Sequence, residues 1–180
     1  MEVIFLLILP AALWAQSWHW LGLYSSPRTL GIIAATVSIT LIGLVVFGSA
    51  TAGPIISDGA ALSAFVLVWA IYAAMVAAVA LWGFDDRTLG FYALFLWIIS
   101  LFYVGYYFLG GNLLGDGGAA VVSAVMGLAA LLLSIMAALV FFYLGAPFPR
   151  MRQTAGWFGL VLSIVVALIG GLAVLGLRLG

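Results

Sequence analysis

Six long apolar runs make up most of the chain, and five short breaks rich in glycine, proline, asparagine, serine or aspartate separate them. Each run has about the 20 residues that an α-helix needs to cross the hydrocarbon core of a bilayer. Proline and glycine in the breaks favour turns over a continued helix. The pattern predicts six transmembrane helices, over residues 3–23, 30–49, 61–82, 89–109, 119–144 and 154–177.

Composition supports a lipid environment for all of these runs. Hydrophobic residues make up 68% of the chain and charged residues 6%, whereas soluble domains carry roughly 25% charged residues. Six spans and their loops use nearly all of the 180 residues. We therefore predict an all-α integral membrane protein whose residues 1–180 form one six-helix transmembrane domain.

Arginine indicates how the helices are oriented. Four of the five arginines lie in the first, third and fifth breaks: Arg28, Arg87, Arg150 and Arg152. The second and fourth breaks carry only Asp58 and Asp116. Because positively charged loops stay in the cytoplasm, both termini are expected outside, with Arg178 as a lone exception. Glu2 stands where a signal peptide would carry positive charge, so the first run is predicted to be a retained helix.

Small residues recur every fourth position along the sixth run, at Gly159, Ser163, Ala167 and Gly171. Such a ridge lets another helix approach closely. The partner is either another helix of the same subunit or a second subunit of an oligomer.

Ionisable residues are missing from the middle of every run, although buried charges usually mark ion paths and proton relays in membranes. Their absence argues against a proton-coupled pump, a charge-lined ion channel and an ATP-driven machine. The chain has no cysteine and one histidine, His19, which we assign to the membrane interface. Asp85 and Asp86 are expected at a turn and a helix N-terminus. We predict neither an enzyme nor a metal or other cofactor, and no basic patch indicates nucleic acid.

Two polar or aromatic features leave open what lines the interior. The amide of Gln16, in the first run, cannot be satisfied by its own helix, so it bonds to a neighbouring helix or faces a pore. Nine aromatic residues crowd the fourth run. They form either an interfacial belt with internal packing or a flat slot through which planar amides pass.

The stretch from Trp82 to Phe95 resembles the turn between helices 3 and 4 of the AmiS/UreI family of urea and short-chain amide channels. Gly83, Asp85 and Arg87 match that family's aromatic-Gly-Leu-Asp-x-Arg pattern. The first hairpin, with Leu13, Gln16 and Pro27-Arg28, and the start of the sixth run, Thr154 to Trp157, are also similar.

The resemblance implies a ring-shaped homo-oligomer, a hexamer, in a bacterial or archaeal plasma membrane. Each subunit would carry its own pore through its own bundle. It matches Leu6, Leu13 and Gln16 to pore-facing positions and Tyr72 to a constriction, although Trp69 or Met75 could take that place. Leu162 or Ser163 stands near the position of a glutamate in the family, and Ser163 is a further pore-lining candidate.

Three departures from the family pattern bear on selectivity and gating. The fifth run has no aromatic residue between 119 and 139, the family glutamate is absent, and the outer loops have no histidine. The expected function is a passive channel for small neutral solutes such as urea, short amides or ammonia, without acid gating. The alternative is an accessory or scaffold subunit of a larger membrane complex.

The orientation can be tested with single cysteines, because the chain has none of its own. We expect a membrane-impermeant maleimide to label Asn112→Cys in intact cells and Ser26→Cys only after permeabilisation. The opposite pattern would invert the predicted topology.

Overall fold

A computed structural model describes residues 2–23, 26–51, 58–110, 120–146 and 148–174. Within these residues the chain is helical and contains no strand. The helices are α1 (Glu2–Leu21), α2 (Pro27–Thr51), α3 (Asp58–Trp82), α4 (Asp86–Gly105), α5 (Ala120–Val140) and α6 (Met151–Val174). Two π-helical turns, Tyr106–Gly110 and Phe141–Gly145, directly follow α4 and α5.

The six predicted spans are confirmed: each corresponds to one helix that is long and apolar enough to cross a bilayer. The chain is therefore a multi-pass membrane protein. Asp116, Arg178 and the last predicted residues of the sixth span lie outside the described residues. Which end of the bundle faces the cytoplasm, and how many subunits assemble, stay predictions.

Helix boundaries follow from local turn chemistry. Gly22 and Gly83 end α1 and α3 with φ of 74° and 69°, a left-handed conformation that favours glycine. The Ser26 hydroxyl accepts a hydrogen bond from the Thr29 amide at 3.1 Å, at the start of α2. Asp85 caps α4, because its Oδ1 accepts from the Arg87 amide at 3.0 Å. The expected helix N-terminus at Asp85 is confirmed.

The helices pack in a closed ring. Each helix packs against its neighbours in the chain, and α6 returns to pack against α1. The α1–α6, α2–α3 and α4–α5 pairs are the most extensive contacts. A smaller contact joins α1 to α3 directly, across the inner side of α2. The ring therefore has an axis, and the residues on its inner side are the ones to examine for function.

Close backbone approach holds neighbouring helices together, as small residues allow in membranes. A Cβ on Gly90 of α4 would overlap the backbone nitrogen of Gly145, in the π-helical turn after α5. A Cβ on Gly159 of α6 would overlap Ser17 Oγ of α1. The ridge of α6 therefore packs within the subunit at Gly159.

The small residues predicted to form a ridge on α6 do not all pack closely against another helix of the subunit. Ala167 is only partly buried, and no described atom lies within 4 Å of a Cβ built on Gly171. At that position the structure gives no close helix neighbour within the described subunit. Close packing on α6 continues instead at Gly170, where an added Cβ would lie 3.2 Å from the backbone of Leu6.

We expect Gly90→Ala to destabilise the protein by about 1–3 kcal/mol, because the methyl group overpacks a backbone-to-backbone contact. Gly43→Ala is the matched control, since a Cβ there meets no described atom within 4 Å and alanine favours helix. Reversible unfolding in mixed micelles measures both. Equal stabilities of the two variants would contradict the close α4–α5 contact.

Candidate functional site

The inner sides of α1 and α3 meet along two stripes of buried residues at helical spacing. The α1 stripe contains Phe5, Leu9, Gln16 and Trp20, and the α3 stripe contains Phe65, Trp69, Tyr72 and Val76. Neighbouring positions within each set are three, four or seven residues apart, so each set lies on one helix face. Both helices begin at the same end of the bundle, which lets the stripes meet at matching depths.

A hydrogen-bonded pair joins the stripes deep in the bundle. The Gln16 amide nitrogen donates to the Tyr72 hydroxyl at 2.9 Å, and that hydroxyl lies 3.1 Å from Gln16 Oε1, to which it can donate. Both side chains are almost fully buried. The structure therefore answers one question from the sequence: the Gln16 amide bonds to a neighbouring helix.

Gln16 also forms the inner end of a cavity. This cavity, which we call the vestibule, has a volume of about 440 Å³ and lies at the end of the bundle that carries Arg28, Arg87 and Arg152. Every one of the six helices, or the π-helical turn that extends it, contributes to its lining. A cavity lined by all members of a ring lies on the axis of the ring. Gln16 thus bonds to a neighbouring helix and also lines an open space. That this space belongs to a pore stays a prediction.

Charged and aromatic groups surround the vestibule. It is lined by Gln16, His19, Trp20, Asp86, Tyr143 and Arg152, together with apolar residues. Trp20 and Tyr143 pack edge to face with ring centroids 5.7 Å apart, across from α1 to the π-helical turn after α5. The lining thus includes one acidic side chain, Asp86, and one basic side chain, Arg152.

Sequence reasoning missed most of these lining residues. His19, Asp86 and Arg152 were assigned to interfaces, turns and loops, and their convergence depends on which helix ends meet. One feature of the sequence could have linked these residues: all three lie next to breaks that the arginine pattern assigns to the same side of the membrane. Tyr143 gave no signal, because the π-helical turn that directs it inward cannot be recognised from composition.

Beyond the Gln16–Tyr72 pair, aromatic side chains fill the interior. Trp69 packs edge to face on Tyr72 at 5.5 Å, Phe5 contacts Phe65 at 5.8 Å, and Phe65 contacts Tyr103 of α4 at 4.6 Å. Phe5, Phe65 and Trp69 are at most 1% exposed. Flat rings in contact leave this part of the axis closed to bulk water in the described conformation.

The other pore-lining candidates lie apart from the pair. Leu13 is buried one turn before Gln16, whereas Leu6 packs towards Gly170 of α6. Ser163 donates to its own helix at the Leu160 carbonyl and borders an outer groove of about 430 Å³ between α1 and α6. The structure brings together Gln16, Trp69 and Tyr72, and it places Leu6 and Ser163 on the α1–α6 contact.

The aromatic residues of α4 divide between two environments. Phe91, Phe95, Phe102 and Phe108 are between 45% and 72% exposed on the outer side of the subunit. Tyr92 instead donates to the Val68 carbonyl of α3 at 2.9 Å. These residues therefore act as an outer surface and as packing, and the four phenylalanines form no slot on the axis.

The motif turn between α3 and α4 is structural and lies beside the vestibule. Gly83 supplies the left-handed turn, and Asp85 caps α4 through the Arg87 amide. Gly83 also lines the vestibule, next to Asp86. Among the described residues, no three histidine, cysteine, aspartate or glutamate side chains converge on a point where a metal ion could bind.

Fold and site together define a six-helix membrane protein with a vestibule lined by Gln16, whose amide is hydrogen-bonded to the buried Tyr72 hydroxyl. No protein-family model, no curated protein and no solved structure matches the chain. What the site does must therefore be argued from its own chemistry.

We expect Gln16→Leu and Tyr72→Phe each to lower the free energy of unfolding by about 1–3 kcal/mol, because each leaves a buried polar partner unsatisfied. The double variant should lose less than the sum, since neither polar group then remains. Thr40→Val is the control, because Thr40 is exposed and its hydroxyl bonds only to its own helix. If the double variant loses as much unfolding free energy as the two single variants together, the hydrogen-bonded Gln16–Tyr72 pair is refuted.

Proposed function

We propose that the chain is a passive channel for small neutral solutes such as urea, short-chain amides or ammonia. The observation that carries this proposal is the vestibule. All six helices, or the π-helical turns that extend them, line it, and its lining includes Gln16, which is hydrogen-bonded to Tyr72. The resemblance of the Trp82–Phe95 stretch to urea and amide channels supports the same class of solute.

The polar groups of the pair suit an uncharged amide. Gln16 itself carries a primary amide, with two N–H donors and a carbonyl acceptor, and Tyr72 adds a hydroxyl that both donates and accepts. A urea or acetamide molecule can exchange bonds with either group as the pair separates. The number of hydrogen bonds is then nearly preserved, so the passage of the solute needs no external energy source.

Ions are excluded by the same arrangement. No charged side chain is among the buried residues of the described part of the chain, and the mostly aromatic packing beyond the pair offers too few polar groups to replace the hydration shell of an ion. Transfer of an unpaired charge into such an interior is strongly unfavourable. Neutral solutes need only a fitting shape and a few hydrogen bonds.

Assembly and location form the second half of the proposal. The subunits form a homo-oligomer in a bacterial or archaeal plasma membrane, a hexamer by the resemblance to urea and amide channels, and each subunit contains its own pathway. The closed ring of helices within one subunit supports this arrangement, because the pathway then needs no residue from a neighbour.

Stopped-flow light scattering on proteoliposomes tests the transport proposal. We expect urea and acetamide to enter faster than through bare lipid, and entry to be equally fast at neutral and acidic pH because the solutes are uncharged. Gln16→Leu should slow entry by roughly tenfold, the effect of losing about 1.4 kcal/mol of interaction. Thr40→Val, on the outer surface of α2, should not change it.

Entry no faster than through bare lipid would contradict the channel. In that case stable copurification with unrelated membrane proteins would establish the alternative, an accessory or scaffold subunit. Fast entry of urea through Gln16→Leu at the wild-type rate would instead show that solutes do not pass the Gln16–Tyr72 pair.

A further inference from the structure

Two hydrogen-bonding groups deep in the bundle have no partner among the described residues. They are the indole Nε1 of Trp69 and the hydroxyl of Ser100, both fully buried. A serine in a transmembrane helix usually donates to a carbonyl in the preceding turn, as Ser17 does to Leu13 at 2.7 Å. A buried donor without an acceptor destabilises a fold, and lipid supplies no acceptor in its place.

The contact between Phe65 and Tyr103 fixes the relative depth of the two groups. Their ring centroids lie 4.6 Å apart, and α3 and α4 run in opposite directions because only residues 83–85 join them. Trp69 lies one turn after Phe65 on α3, and Ser100 lies one turn before Tyr103 on α4. The two unpartnered groups are therefore at similar depths on adjacent, packed helices.

This position is the next one along the axis after the Gln16–Tyr72 pair. The Trp69 ring packs edge to face on the Tyr72 ring at 5.5 Å, and Gln16 separates Tyr72 from the vestibule. A molecule that passes from the vestibule beyond the pair reaches the Trp69 side chain first.

We infer that Trp69 Nε1 and Ser100 Oγ form a binding site for the oxygen of a small uncharged molecule. An indole N–H can only donate, and a serine hydroxyl can also donate. One carbonyl oxygen of urea or an amide has two lone pairs and can accept from both groups. A water oxygen offers the same chemistry. The site deepens the proposed channel function and depends on it, because a solute reaches it by the same pathway.

Indole signals of the full chain, labelled with ¹⁵N and reconstituted in lipid nanodiscs, test the site directly. The Trp69 signal is assigned by its loss in Trp69→Phe, which keeps an aromatic ring and removes the N–H group. We expect acetamide and urea to shift the Trp69 signal saturably and to leave the signal of Trp157, which is 59% exposed, unchanged. Ser100→Ala should weaken the apparent affinity by roughly five- to tenfold, and Thr36→Val, on the outer surface, should not.

The possible sources of the oxygen give different results. A solute shift at Trp69 assigns the site to the carbonyl group, whereas a magnetisation transfer from water to the Trp69 indole proton without any solute shift assigns it to water. The absence of both the solute shift and the magnetisation transfer from water would overturn the site. A solute shift at Trp69 in a protein whose liposomes are impermeable would uphold the site and refute the channel.

Discussion

A primary amide placed between membrane-spanning helices must find its hydrogen bonds inside the protein, because the surrounding lipid has none to offer. In this chain the amide of Gln16 finds the hydroxyl of Tyr72. The bond joins α1 to α3, which otherwise make only a small direct contact. The aromatic contacts of Phe5 with Phe65 and of Trp69 with Tyr72 lie along the same two helix faces.

The same constraint links the fold to the proposed function. A ring of helices held by close backbone contacts, such as Gly90 against Gly145, encloses an interior in which no charged residue is among the buried side chains of the described part of the chain. The charged groups near the axis, Asp86 and Arg152, line the vestibule at one end of the bundle. If the chain is the channel that we propose, such an interior would select by hydrogen bonding and shape, which suits urea and small amides rather than ions. The discrimination would then occur at and beyond Gln16, because the vestibule is lined by both an acidic residue, Asp86, and a basic residue, Arg152.

Much of the fold could be predicted from the sequence, because apolar run length and turn residues act locally. All six helices and the cap at Asp85 were predicted in this way. Gln16 could be singled out because its hydrogen-bonding capacity exceeds what one helix provides. The pairing of Gln16 with Tyr72 could not be predicted, since it depends on the tertiary register of α1 and α3. The resemblance assigned the two residues separately, to a pore-facing position and to a constriction.

Other parts of the site depend on information that no local pattern contains. Ser163 has the small, polar side chain expected of a pore, but its helix face turns towards the groove between α1 and α6. Leu6 likewise packs towards Gly170 of α6 rather than towards the axis. Tyr143 reaches the vestibule because the last turn of its helix is π-helical, a change of backbone pitch that single-residue propensities do not encode. The unpartnered indole of Trp69 is visible only once its surroundings are known.

The account depends most on the interior of the ring being a pathway rather than a solid core, and a cysteine at Leu9 measures this directly. Leu9 lies on the α1 stripe beyond Gln16, and the chain has no competing cysteine. Modification of Leu9→Cys by a small neutral thiosulfonate should be fast and slowed by urea, while a charged thiosulfonate of similar size should not react. If Leu9→Cys reacts no faster than Ile39→Cys, on the exposed face of α2, the interior is a closed core and the channel is refuted.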